Sequence, residues 1–420
     1  MEVGHIIGIV LALVGIVAMS IYSGRFAKKE KLLSSWLVSG SIIGTLVGGS
    51  STVGTAQLAY HYGMSAWWFT LGSGIACLIL ALLYVAPMRN SGCKTLTQMV
   101  KKEYGESCGV AASVLSSLGS FINIISQLIA ATAIIAVIFP KLPLALSLLC
   151  SGIFMALYVI FGGTKGSGVV GIFKMLLLYA TMLLCGILVI VLTGGFGGFF
   201  DLVDSVQTEN GINFYNLFAR GVGTDLGACL SLILGVITTQ AYAQPVLMAQ
   251  STKEAKKGAL LSAAIVPPVG IGGILVGLYM RATHPDIVAK TALTGFITEY
   301  LPPFAGGIAL GALFVAGVGT GAGLAMGIAA VIRNDILPRI KGTKLSAHTD
   351  RLLIVVILAA AVALSMGQLG DMILSFAFLS MGLRGATVFV PLCCAFWLSG
   401  KIKSGYAMGA IISGPLTVLL

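Results

Sequence analysis

Charge is what this chain has least of. Only 9% of its 420 residues are Asp, Glu, Lys or Arg, against about 25% in a soluble globular domain. Histidine is scarce as well: His5, His61, His284 and His348 are scattered, so no cluster of metal ligands is expected. The eight cysteines include no CxxC pair, and most sit in apolar runs. They read as small buried residues rather than a disulfide or metal frame. Groups able to do acid–base or nucleophilic work at bilayer depth are few and unclustered, which disfavours a membrane-embedded enzyme and any cofactor. What fills the chain instead is apolar: 57% hydrophobic residues and a mean hydropathy of +1.02. This is the composition of an all-α polytopic membrane protein, with the lipid bilayer as its first partner. A net charge of +11 would suggest nucleic acid in a soluble protein. Here the basic residues fall in short loops between apolar runs, where they report orientation, and no nucleic-acid partner is expected.

Apolar runs of spanning length cover 4–23, 36–61, 66–88, 108–139, 142–162, 167–193, 223–249, 257–281, 304–332, 350–367, 371–398 and 404–420, about twelve in all. The first has no basic leader or clear small-residue cleavage site and reads as a retained helix. The last is short and stops at Leu420; it reads as a span of little tilt or one cut there. Basic loops follow every odd-numbered span: Arg25, Lys28, Lys29 and Lys31; Arg89, Lys94, Lys101 and Lys102; Lys165; Lys253, Lys256 and Lys257; Arg333, Arg339, Lys341, Lys344 and Arg351; Lys401 and Lys403. That alternation predicts a multi-pass protein of the plasma (inner) membrane with its N-terminus outside. The chain divides into 1–35 (leading helix and cytoplasmic loop), 36–193 (five helices), 194–222 (outside loop), 223–398 (five helices) and 399–420 (C-terminal helix). An odd number of crossings per half inverts the second half relative to the first.

Two spans are broken. Gly48-Gly49-Ser50-Ser51-Thr52 lies near the middle of 36–61. The glycine pair weakens a helix by roughly 1 kcal/mol per residue, and hydroxyls follow at once. In 223–249, Gly235 precedes Thr238-Thr239-Gln240 and Gln244-Pro245. Broken backbone at that depth is tolerated where it lines a cavity or is buried in protein. Matched interruptions at the start of each half point to a midplane site for an ion and a small solute.

These stretches resemble a known family. Trp36 to Gly63, with G-T-L-V-G-G-S-S-T-V-G-T-A-Q-L-A-Y-H-Y-G, resembles the first core helix of sodium/solute symporters. Thr95 to Gly105, Phe161-Gly162-Gly163-Thr164-Lys165 and Lys253-Glu254-Ala255-Lys256-Lys257-Gly258 resemble three further family segments. The resemblance implies a LeuT-type core of five plus five helices behind one leading helix. It also implies secondary active transport of a small polar organic solute, commonly by Na⁺ symport with alternating access. It places Na⁺ between the first and eighth core helices, on carbonyls of Gly44, Val47 and Ala316 and at the hydroxyl pair Gly319-Thr320. It places the solute near Ser50, Ser51, Thr52, Asn123, Gln127, Thr239 and Gln240; each of these residues also reads as an interhelical hydrogen bond.

The departures from the family pattern carry weight. Gly319 lacks the first hydroxyl of the pair. Gly171 stands where the family often has an aspartate, and one turn on comes Lys174. An ammonium at membrane depth tends to mark a site. Lys174 reads in two ways: as an ion surrogate, making the protein Na⁺-independent or proton-coupled, or as a side chain about 10 Å along its helix that snorkels outward. Gly235 replaces the ring-stacking aromatic of the sugar-transporting members, which disfavours a hexose. Arg384 reads either as a partner for a solute carboxylate or as locally paired with carbonyls. A channel, which wants repeated polar rings about an axis, fits the two dissimilar halves poorly.

Overall fold

The computed structural model describes residues 2–26, 32–162, 167–333, 347–366 and 373–419. Lys28, Lys29, Lys31, Gly163, Thr164, Lys165, Arg339, Lys341, Lys344 and Asp371 lie outside the described residues. The first half holds α1 (Val3–Phe26), α2 (Ser35–Leu46), α3 (Thr55–Tyr62), α4 (Trp68–Ile79), α5 (Val85–Asn90), α6 (Leu96–Tyr104), α7 (Glu106–Ile138), α8 (Leu144–Gly162) and α9 (Ser167–Leu192). Then follow α10 (Phe196–Asn210), α11 (Val222–Thr238), α12 (Gln240–Leu247), α13 (Thr252–Thr283), α14 (Ala292–Tyr300), α15 (Pro303–Val331), α16 (Ala347–Ser365), α17 (Ile373–Trp397) and α18 (Ser404–Leu419). By length and apolarity, six described helical segments suffice to cross a bilayer, or seven when the bent pair α11 and α12 is taken as one span. Five shorter apolar helices accompany them.

Local chemistry sets the ends of these helices. Thr95 caps α6, its hydroxyl accepting from the Gln98 N–H at 3.1 Å. Gly105, at φ 89°, ends α6 and lets α7 begin at Glu106 in a new direction. Ser251 caps α13 by accepting from the Glu254 N–H at 3.1 Å. The Glu254 carboxylate accepts from the Ser35 N–H at 2.8 Å. It thereby joins the start of α13 to the start of α2, and that backbone donor holds the Glu254 carboxyl below its ordinary value.

Small residues govern how the helices approach. Apolar side chains gain little by leaving lipid for protein, so packing in a membrane depends on close backbone contact. A methyl at Gly8 would stand 2.4 Å from Phe304 O, so α1 lies directly on α15. One at Gly44 would stand 2.6 Å from Gly171 Cα, so α2 and α9 cross with almost no space between them. One at Gly235 would stand 2.6 Å from Met381 Cβ, which closes α11 on α17. That contact explains the missing aromatic at Gly235: the neighbouring helix takes the space. At the centre, α7 and α15 pack on each other, with α2 and α17 alongside. The outward faces of α4, α9 and α1 carry exposed Leu78, Ile187, Val191 and Val10, suited to lipid.

Candidate functional site

The first break is buried and internally satisfied. Val47 takes extended backbone (φ −89°, ψ 100°) and ends α2, and Ser50–Gly54 form one wide π turn before α3 resumes. Ser51 Oγ both accepts from Gly48 N and donates to Gly48 O, each at 2.9 Å. Thr52 Oγ1 donates to the same carbonyl at 3.0 Å. From α7, Gln127 Oε1 accepts from Gly49 N at 2.9 Å, while its Nε2 donates to Ser50 Oγ at 2.7 Å and to Asn123 Oδ1 at 3.3 Å. Ser50 also shares a 2.9 Å hydrogen bond with Ser126, which donates to Ile373 O at 2.8 Å. The five candidate solute residues of this region are thus brought together, and in this conformation they bond to one another and to backbone.

Beside that break, Lys174 fills the crossing of α2, α9 and α15. Gly171 makes this reach short: with the helices in contact there, a side chain one turn later falls against Gly44. Lys174 Nζ donates to Gly44 O at 2.6 Å and to Thr320 Oγ1 at 2.8 Å. The side chain is 3% exposed, so it turns inward instead of snorkelling. Gly48 lies tightly against the same Thr320 hydroxyl. Ala316 and Thr320, four residues apart on α15, share a helix face, and both are buried. Where Gly319 lacks a hydroxyl, the Tyr158 ring and hydroxyl of α8 lie 3.4 Å from the place a Cβ would take. Tyr158 was not singled out from the sequence. Its signal is contact across the bundle, which spacing along the chain does not reveal.

The second break is open. Thr239 takes extended backbone (φ −90°, ψ 123°), and α11 and α12 meet at 45°. Thr239 Oγ1 donates to Gly235 O at 2.5 Å. Gln240 Oε1 accepts from Leu96 N at 2.9 Å, and its Nε2 donates to Lys94 O at 3.2 Å, which ties the break to the start of α6. A small, partly open cavity lies against this break. Thr97, Ser116, Ser117, Ser120, Thr239, Gln240 and Arg384 supply its polar wall; Leu324, Ile328 and Val331 of α15 supply the apolar one. Thr239 and Gln240 therefore face free space, whereas Ser50, Asn123 and Gln127 do not line it.

The other end of α11 is shut. Asp225 is fully buried and takes the Arg220 guanidinium at 2.6 Å and the Ser65 hydroxyl at 2.7 Å. The same guanidinium lies 5.3 Å from the centre of the Phe378 ring on α17. Trp68 Nε1 donates to Leu217 O at 2.7 Å and closes the adjoining turn.

A model of the "Sodium:solute symporter family" matches residues 29–414. The chain belongs to the sodium:solute symporter family. Membership carries the family's function, symport of a small solute with sodium. The chain is 24% identical to the sodium/pantothenate symporter of Escherichia coli, over all of this chain and 91% of that protein. It is 29% identical to the uncharacterized symporter YwcA of Bacillus subtilis, over 43% of this chain and only 36% of that one. It is 25% identical to the high-affinity choline transporter 1 of Caenorhabditis elegans, over 66% of this chain and 51% of that protein. Among solved structures, a Na⁺-coupled sialic acid symporter in a substrate-bound, outward-open state overlays with a TM-score of 0.74 at 15% identity. The overlay covers 100% of this chain and 98% of that one. The fold of this symporter family member is therefore of the LeuT type, as the resemblance implied, in a multi-pass membrane protein.

Proposed function

We propose that this chain moves a small polar organic solute by alternating access across the plasma membrane, with its N-terminus outside, and that it is a transporter and not an enzyme. Its two five-helix repeats, 36–193 and 223–398, rock against each other around the two breaks. The relatives' names include pantothenate, choline and sialic acid, solutes too unlike one another to carry over to this chain. The Na⁺-coupled reading assigns the ion to Gly44, Val47, Ala316 and Thr320, with Gly319 contributing backbone alone. Family membership supports it.

A second reading has its own observation: the Lys174 ammonium already donates to Gly44 O and Thr320 Oγ1, two of the oxygens assigned to the ion. A monovalent cation and an ammonium want the same acceptors. In this reading Lys174 replaces Na⁺, and transport is Na⁺-independent or coupled to a proton carried on Nζ. The contact is direct and buried, which supports this second reading, while family membership supports the sodium one.

One experiment separates the two. Proteoliposomes holding the full chain are given labelled solutes with a Na⁺, choline or pH gradient in turn. The lysine reading expects uptake indifferent to Na⁺ and lost in Lys174→Ala, by roughly a hundredfold if the cation is essential to closure. Na⁺-stimulated uptake that survives Lys174→Ala rejects that reading and leaves the sodium one.

A further inference from the structure

Two polar atoms in the wall of the cavity beside α12 are buried without a hydrogen-bond partner: Arg384 Nη1 and Ser117 Oγ. Arg384 is 1% exposed and lies at the midpoint of α17, eleven residues or roughly 16 Å from its start. Its other donors are held. Nε donates to Ser380 O at 3.1 Å, and Nη2 donates to Ser380 Oγ at 3.0 Å with Met381 Sδ at 3.1 Å. Ser380 Oγ donates to Gly119 O at 2.5 Å. The arginine stem lies over Gly119, where a methyl would come within 2.7 Å of Cγ. Helices α7 and α17 therefore fix the guanidinium at the cavity wall and leave Nη1 buried without a hydrogen-bond partner.

Nothing nearby balances that charge. Among the described residues no carboxylate forms an ion pair with Arg384, and the cavity wall contains neither Asp nor Glu. The Tyr242 hydroxyl is its polar neighbour. A buried charge without a counter-charge costs several kcal/mol, so the site gains by taking one up. The start of α12, Gln240 and Ala241, faces the same space. The first N–H groups of a helix carry partial positive charge. A fixed guanidinium, a free hydroxyl and a helix N-terminus converge on one small space without an acid. That is a site for an anion, and the planar fork of arginine suits a carboxylate.

We propose that Arg384 and Ser117 form the carboxylate subsite of the transported solute, so that the solute is a small carboxylate. One carboxylate oxygen accepts from Arg384 Nη1 and the other from Ser117 Oγ, while the rest of the solute lies against Leu324, Ile328 and Val331. The proposal rests on the symport reading for its physiological meaning; binding itself is measurable without any ion gradient.

The test uses the detergent-purified full chain and equilibrium thermal shift with acetate, pyruvate, lactate and 3-hydroxybutyrate, each beside its uncharged amide. At least one acid should raise the unfolding temperature saturably, with its amide at least tenfold weaker. Arg384→Gln should weaken that acid by roughly 30-fold or more, and Arg384→Lys by less. Amides that bind as well as acids, no binding by any acid, or unchanged binding in Arg384→Gln would each overturn the proposal. Should Arg384→Gln fail to fold, Ser117→Ala decides: a threefold or greater loss of affinity upholds the subsite, and none overturns it. Uptake keeps the two readings apart. An acid that binds but is not accumulated under any ion gradient counts against symport and leaves the subsite. Ion-driven uptake of uncharged solutes alone counts against the subsite and leaves symport.

Discussion

The two broken spans differ in what their interruptions do. In the first, the Gly48 N–H and carbonyl and the Gly49 N–H have protein partners: Ser51, Thr52 and Gln127 supply them within 3.0 Å. In the second, α11 stops at Thr239 and restarts 45° away beside a cavity that α6, α7, α15 and α17 surround. The same device, a helix interrupted at depth, thus serves two purposes. In the proposed function the closed break lies beside the oxygens that hold a cation, Gly44 O and Thr320 Oγ1, which Lys174 contacts here. In the proposed function the open break, bent by 45°, supplies the side of the bundle where a solute group is placed. Backbone at membrane depth must be satisfied or wet, and this molecule shows one case of each.

That contrast can be broken by substitution. The largest effect is expected at Gly48, where a methyl would stand 2.6 Å from Thr320 Oγ1 and 2.7 Å from Gln127 Oε1. Gly48→Ala should overpack the closed break and cost ~1–3 kcal/mol, read as a lowered unfolding temperature in detergent. Next comes Gln127→Leu, which strips Gly49 N–H and Ser50 Oγ of a shared partner. Its expected cost is ~1–3 kcal/mol, by the same measurement. The smallest effect belongs to the open break. Thr239→Ala removes a hydroxyl bonded to its own helix and should change stability by about 0.6 kcal/mol or less while still altering solute affinity. If Thr239→Ala proves as destabilising as Gln127→Leu, the two breaks are not different in kind.

Much of this was legible in the residues. The apolar runs and paired interruptions announced a polytopic membrane protein with two broken spans, and the motif at Trp36 to Gly63 carried the resemblance to the family, which implied the LeuT-type fold. Lys174 was not decidable from spacing: seven residues into α9, an ammonium can reach either water or the core. Its direction follows from Gly171, which brings α2 into contact and puts Gly44 O within reach. Ser50, Asn123 and Gln127 read equally as solute ligands or as interhelical bonds, and a linear pattern does not tell whether their neighbours will satisfy them. Ser117 was overlooked. The run Ser116-Ser117-Leu118-Gly119-Ser120 inside an apolar helix was its visible signal, but which of these hydroxyls lacks a partner is set by the helices packed against it. Arg384 follows its local reading at two nitrogens, which pair with Ser380, while Nη1 has no hydrogen-bond partner. The outer pair Arg220–Asp225 depends on a loop folding back, which helical periodicity does not encode.

Both cation readings meet at Thr320, whose hydroxyl would hold either Na⁺ or the Lys174 ammonium while leaving the solute cavity untouched. The decisive measurement is gradient-driven uptake by Thr320→Ala, with Thr320→Ser as the conservative control. The expected result is a loss of at least about tenfold in the alanine variant, under whichever gradient drives the unaltered protein, and near-normal uptake in the serine variant. Full gradient-driven uptake by Thr320→Ala would contradict a coupling cation held between α2 and α15.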